Sequence, residues 1–212
     1  MSNFSHDFLK FALSRKVLSF GEFKTKAGRL SPYFFNSGSF NTGEDLLKLG
    51  EFYAEAILAS RLDFDILFGP AYKGISLAVT TAVALARKGR VCKVIYNRKE
   101  QKKHGEQGIL IGGDIQGKVL IIDDVISAGT SIFESFSIIK RHGGSVVGVC
   151  ISLDRMERGE NQLSALEQVK RLIGVPVFCL ANLDDLVSFL EADAKNRQNL
   201  ERLSNYRSQF GA

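Results

Sequence analysis

Apolar residues along this chain follow two rhythms. Near the start, Phe4, Phe8, Phe11 and Ala12 recur at three- and four-residue spacing, which predicts an amphipathic helix. Thr42 stands where a helix cap belongs, and Leu46, Leu49, Tyr53, Ala56 and Ile57 mark the buried face of a helix running to about Ala59. From Asp65 onward the rhythm changes to short unbroken apolar runs: DILF (65–68), VCKVIY (91–96), ILIGG (109–113), KVLIIDDV (118–125), SVVGVCISLD (145–154) and VPVFCLA (175–181). Helical stretches separate them, among them ISLAVTTAVALARKG (75–89) and a segment from about Ser131 to His142. Strands that are hydrophobic throughout and alternate with helices specify an α/β fold, a central mainly parallel sheet flanked by helices on both faces. Before the sheet, FGEFKTKAGRLSPYFFNSG (20–38) reads as short strands with glycine turns, a small N-terminal hood. After it, residues 191–212 read as a helix packing through Leu200, Leu203, Tyr206 and Phe210. The organisation expected is one domain over 1–212, with the hood at about 1–40, the core at about 42–190 and the C-terminal helical segment at about 192–210.

Composition changes this picture little. Of 212 residues, 45% are hydrophobic and 24% charged, ordinary for a globular domain. The longest apolar run, Leu77 to Ala86, is broken by Thr80 and Thr81 and reads as a buried helix, not a membrane span. The first residues lack the charged, apolar, small order of a signal peptide, so a cytoplasmic protein without a membrane partner is expected. Cys92, Cys150 and Cys179 are far apart without any C-x-x-C, which points to free thiols. The net charge of +5 permits nucleic acid, a polyanionic small molecule, or neither. Its distribution says more. Arg98, Lys99, Lys102, Lys103 and His104 fall within seven positions of one predicted loop, NRKEQKKHGEQG (97–108). Such a run is either a solvated surface segment or, with Gly105 and Gly108 keeping it mobile, a set of cations for a polyphosphate.

In parallel sheets ligands bind at the carboxyl ends of strands, so the loops at 69–74, 123–131 and 154–159 are the places to look for chemistry. GGDIQGK (112–118) has P-loop spacing, but Val119 replaces the magnesium-binding hydroxyl and a strand follows instead of a helix. It reads as a tight turn between strands. The informative stretch is VLIIDDVISAGTS (119–131). Asp123 and Asp124 cannot both enter an apolar core and must sit at the strand's end. There they can bind a divalent cation or hold the vicinal hydroxyls of a sugar. The small residues that follow open a helix and can cradle a phosphate with backbone N–H groups and the hydroxyls of Ser127, Thr130 and Ser131. The competing interpretation is a strand-end turn followed by a plain helix cap.

VLIIDDVISAGTS resembles the signature with which type I phosphoribosyltransferases bind phosphoribosyl pyrophosphate (PRPP). KAGRLSPYFFN, LFGPAYKGI, NRKEQKKHGEQG and ISLDRMERG resemble, in order and spacing, segments of the bacterial orotate phosphoribosyltransferases. The resemblance covers nearly the whole chain. It implies the type I phosphoribosyltransferase fold and transfer of phosphoribosyl from PRPP to orotate, with Mg2+ as cofactor. It also implies that Asp123 and Asp124 hold the ribose hydroxyls, which also ligate magnesium, and that Val125, Ile126, Ser127, Ala128, Gly129, Thr130 and Ser131 wrap the 5-phosphate. The family often carries threonine at position 127; here Ser127 keeps the hydroxyl, which also contacts the base. Tyr72 and Lys73 would meet the pyrophosphate. Arg98, Lys99, Lys102 and His104 would reach it from the neighbouring subunit, implying a homodimer that shares its basic loops. Lys26 would lie between base and pyrophosphate, and Phe34, Phe35 and Arg155 would contact orotate, Arg155 through the carboxylate. From the residues alone, Phe34 and Phe35 would be core and Arg155 an ion-pairing surface residue. A purine-specific relative would share 119–131 but not obviously PYFF or Arg155. A PRPP-responsive nucleic-acid-binding regulator is disfavoured because the basic residues cluster in a loop suited to pyrophosphate, so no nucleic-acid partner is expected.

Overall fold

A computed structural model describes residues 4–25, 28–102, 108–126, 129–159 and 162–212, with residues 101 and 102 in backbone only. Helix α1 (Phe4–Ser14) leads into a two-stranded antiparallel hood, β1 (Leu18–Lys24) paired with β2 (Leu30–Phe35). Helix α2 (Gly43–Ser60) follows, its Thr42 cap accepting a hydrogen bond from the Asp45 N–H as the sequence predicts. Then come β3 (Ile66–Gly69), α3 (Lys73–Arg87), β4 (Lys93–Lys102), β5 (Gly108–Ile111), β6 (Gly117–Val125), α4 (Thr130–Arg141), β7 (Gly144–Asp154), α5 (Ala165–Ile173), β8 (Val177–Asn182), α6 (Leu183–Glu191) and α7 (Arg197–Phe210).

The main sheet runs β5-β4-β3-β6-β7-β8, parallel except for β5, which pairs antiparallel with β4 at one edge. Side-chain alternation divides the core between the two faces. Leu67, Leu120 and Ile122 pack with α2 and α3 residues such as Tyr53 and Leu77, whereas Ile66, Val119 and Ile121 pack with Ile132 and Ile139 of α4 and Val169 of α5.

Two expectations need correction. The segment expected as a basic loop over 97–108 is strand at Asn97–Lys102 and at Gly108, while residues 103–107 lie outside the described residues. β4 continues to Lys102, and β5 returns beside it, pairing Asn97 with Leu110 and Lys102 with Gly108. Pairing satisfies backbone groups that a loop would have to expose, which a charge run does not reveal. The GGDIQGK segment is not a tight turn between neighbours. It crosses the ends of β4 and β3 to reach β6, passing so close to β4 that a Cβ on Gly112 would lie 2.2 Å from the Val94 carbonyl oxygen.

Candidate functional site

The strand-end carboxylates are built by alternation along β6. Asp123 continues the face of Val119 and Ile121, and it meets α4. Asp124 continues the face of Leu120 and Ile122, and it meets α3 and the segment after the hood. Adjacent in sequence, the two acids therefore engage different neighbours.

Asp123 is 7% exposed. Its carboxylate accepts from the Asp124 N–H (2.9 Å) and from the Ser131 hydroxyl (2.9 Å). Beneath it the buried Tyr53 hydroxyl donates to the Asp123 carbonyl (2.7 Å) and shares a 2.6 Å hydrogen bond with Ser152. Burial, reinforced by the neighbouring Asp124 charge, pushes the Asp123 carboxyl up to about 6. Asp124 Oδ2 accepts from Ser37 and from Lys73 Nζ, each at 2.8 Å, and Oδ1 accepts from the Val125 N–H (2.9 Å). A carboxylate offers about four lone-pair sites. These bonds leave Asp123 about two and Asp124 about one for a ligand.

Lys73 reaches Asp124 because α3 begins at Lys73 itself, two residues earlier than the apolar pattern suggests. The tight turn between β3 and α3 depends on Gly69, where a Cβ would sit 2.2 Å from the Gly74 carbonyl oxygen. Tyr72 projects into solvent, 70% exposed, with Lys99 of β4 5.1 Å from its ring centroid. The turn is tied to β4 by the Ala71 N–H, which donates to Asn97 Oδ1 (3.1 Å).

On the phosphate side, Ile126 is buried in the core with Ile132 of α4, so its side chain is not available to a ligand. Gly129 caps α4 at φ +74, and a Cβ there would lie 2.9 Å from both Phe133 and Val169. Thr130 and Ser131 form the exposed first turn, where backbone N–H groups favour anions. Ser127 and Ala128 lie outside the described residues, as do Lys26 and His104 and the side chain of Lys102.

In the hood, Phe34 and Phe35 point to opposite faces of β2. Phe34 is 46% exposed and stacks on Phe23, whereas Phe35 is 7% exposed and packs on Phe8, so its ring belongs to the core. Any contact from Phe35 to a base would have to come from its main chain. Arg155, after β7, lies over the Tyr33 ring and is already ion-paired with Glu157. Sequence reasoning does not find Ser37, Tyr53 or Glu157. The two-residue spacing of Arg155 and Glu157 is the one local signal among them.

A phosphoribosyl transferase domain model matches residues 37–179. The chain is 54% identical over 211 residues to the orotate phosphoribosyltransferase of Thiobacillus denitrificans, covering 100% of each chain. It is 56% identical over 211 residues to that of Laribacter hongkongensis, covering 100% of this chain and 99% of the relative. The chain belongs to the orotate phosphoribosyltransferase family. Family membership extends to the fold. The crystal structure of the Francisella tularensis orotate phosphoribosyltransferase superposes with a TM-score of 0.86 at 37% identity, over 97% of this chain and 100% of that one. In the family's terms, Asp123, Asp124, Lys73 and the start of α4 gather around the carboxyl end of β6, while Arg155 and the hood form a second group. The structure brings the first group together through direct hydrogen bonds.

Proposed function

We propose that this chain transfers the phosphoribosyl group of PRPP to N1 of orotate, releasing pyrophosphate and forming orotidine 5-phosphate in pyrimidine biosynthesis. The observation that carries the reading is the carboxylate pair at the end of β6, Asp123 buried and Asp124 half-buried, leading into the exposed first turn of α4, in a chain alike over its full length to orotate phosphoribosyltransferases.

The chemistry needs no protein nucleophile. As the bond from the sugar's C1 to pyrophosphate breaks, positive charge develops on the ring and negative charge on the leaving group. Asp123 and Asp124 orient the ribose hydroxyls, the first turn of α4 holds the 5-phosphate, and Lys73, Arg98 and Lys99 neutralise the pyrophosphate. Asp124 is held in place by Lys73 and Ser37 before substrate arrives, so little reorganisation accompanies binding.

Two hard oxygen donors fit Mg2+, which uses one or two carboxylates together with substrate oxygens and water. Among the described residues no group of three or more His, Cys, Asp and Glu could hold a metal ion. The open lone pairs of Asp123 and Asp124 would therefore share the ion with the substrate, where it would neutralise the departing pyrophosphate.

We further propose a homodimer in which the basic segment 97–108, with Arg98, Lys99, Lys102 and His104, serves the neighbouring subunit's site. Lys99 rests over Tyr72 of its own chain. An exposed cation–π contact is worth only about 0.5–1 kcal/mol, so releasing it to pyrophosphate costs little. A cytoplasmic location is supported by free Cys92, Cys150 and Cys179, which suit a reducing compartment, and no helix among the described residues is long and apolar enough to cross a membrane.

The test is loss of orotate absorbance on mixing purified protein with orotate, PRPP and magnesium, with chelator and purine-base controls. A magnesium-dependent decrease with pyrophosphate release is expected. Turnover of a purine base instead of orotate would refute the base assignment.

A further inference from the structure

Arg155 is held by more than its own loop. Its Nε and Nη2 both donate to Glu157 Oε1 (2.9 and 2.5 Å), and Nη2 also donates to the buried Ser31 hydroxyl on β2 (3.0 Å). The guanidinium carbon lies 4.3 Å from the Tyr33 ring centroid. A guanidinium has five N–H donors. Among the described residues these contacts engage Nε and Nη2 and leave the Nη1 pair open.

Glu157 is in turn fixed from α7. The Tyr206 hydroxyl donates to the same Glu157 Oε1 (2.9 Å), and Arg29 Nη1 lies 3.7 Å from Oε2. The loop backbone is clamped as well: the Arg158 N–H donates to the Phe210 carbonyl and the Ala212 N–H to the Met156 carbonyl, each at 2.8 Å. Met156, between the two charged residues, has φ +49, a conformation L side chains seldom adopt without external support. The Arg155 and Glu157 side chains are only 16% and 17% exposed, so the pair is poorly hydrated and its geometry is set by the protein.

We infer that Glu157 and Tyr206 are positioning residues for base recognition, holding Arg155 so that its Nη1 end stays open to the carboxylate of the base. The inference rests on the orotate reading above and extends the base site to α7, a helix that the sequence marks only as packing. Without Glu157, the guanidinium would lose two hydrogen bonds and swing among rotamers, and each carboxylate encounter would have to re-order it. Tyr206 acts from beside the pair, keeping Glu157 from turning away and also facing Arg155 directly.

Steady-state kinetics of Arg155→Ala, Glu157→Ala, Glu157→Gln and Tyr206→Phe, with melting curves as a fold check, test this. Glu157→Ala is expected to raise the KM for orotate by about tenfold or more, the value of a lost charge-assisted contact. The KM for PRPP should stay within about twofold, and kcat should change less than the orotate KM. Glu157→Gln keeps an acceptor for Arg155 and should recover part of the loss. Tyr206→Phe, which keeps the ring packing, should move the orotate KM in the same direction by a smaller factor, and it carries the test if Glu157→Ala fails to fold. Equal increases in both KM values would reduce Glu157 to a structural role and overturn the inference. So would a lower orotate KM in Glu157→Ala, which would make Glu157 a competitor of the substrate carboxylate. An impaired Arg155→Ala beside unaffected Glu157 and Tyr206 variants would overturn the inference alone. An unaffected Arg155→Ala, or a wild-type protein that does not use orotate, would remove the reading beneath it as well.

Discussion

Asp123→Asn should make the ligand-free protein more stable while disabling it. The Asp123 carboxyl is 7% exposed and lifted from its ordinary 3.8 to about 6, first by burial and then by the Asp124 charge, with the Asp124 N–H, Ser131 and the Lys73 ammonium opposing the rise. A folded-state value above the unfolded one means that the native state binds the proton more tightly. Stability is therefore fully present below about pH 4 and is lost as pH rises through about 6. At about 1.36 kcal/mol per unit, the charged carboxylate costs the fold about 3 kcal/mol at pH 7.5. Asparagine has the same shape. Its oxygen can accept from the Asp124 N–H, and its amide can donate to the Ser131 hydroxyl, so both contacts survive without the charge. For a domain of this length, 3 kcal/mol corresponds to roughly 6–12 °C in Tm. Thermal unfolding of both proteins without ligand, at pH 7.5 and again at pH 4.5, would show the gap open at the higher pH and mostly closed at the lower. Activity should fall roughly 10- to 100-fold, the value of one charge-assisted contact to a ribose hydroxyl. An Asn variant that melts at or below wild type at pH 7.5 would refute the claim that the site holds a strained charge for function.

Other outcomes follow from the same geometry. Asp124→Asn, which weakens the acceptor of both Lys73 and Ser37, should reduce turnover roughly 10- to 100-fold with little change in Tm, and near-wild-type kinetics would remove Asp124 from its assigned role. If the β4–β5 arm works across a dimer, mixing impaired Lys99→Ala with impaired Asp124→Asn protein should raise activity above the sum of the two through hybrid sites; no gain after verified subunit exchange would place the arm over its own subunit. Gly129→Ala should destabilise by about 1–3 kcal/mol in chemical denaturation, because the new methyl meets Phe133 and Val169 at 2.9 Å in a backbone conformation that disfavours it.

The order of elements was legible in the residues alone, because unbroken aliphatic runs and helical spacing each report a local period. The Thr42 cap, the strand-end position of Asp123 and Asp124, and the loop that carries Arg155 were equally legible, whereas Lys73, expected in a loop, opens α3. The sequence's local signals did not reveal which residues meet across the fold. Asp124 with Ser37 and Lys73, Tyr53 with Ser152, and Glu157 with Tyr206 are separated by 87, 51, 99 and 49 positions, distances over which periodicity carries no information. The same limit explains the basic segment. Charge composition suggested a loop, but β5 supplies backbone partners to β4, and that pairing decided for a strand. It also explains the hood: two adjacent phenylalanines look alike in sequence, yet strand alternation turns Phe34 outward and Phe35 into the core beside Phe8. Local chemistry placed the reactive groups at the ends of elements, and the packing of those elements against one another fixed which groups touch and which stay open to a ligand.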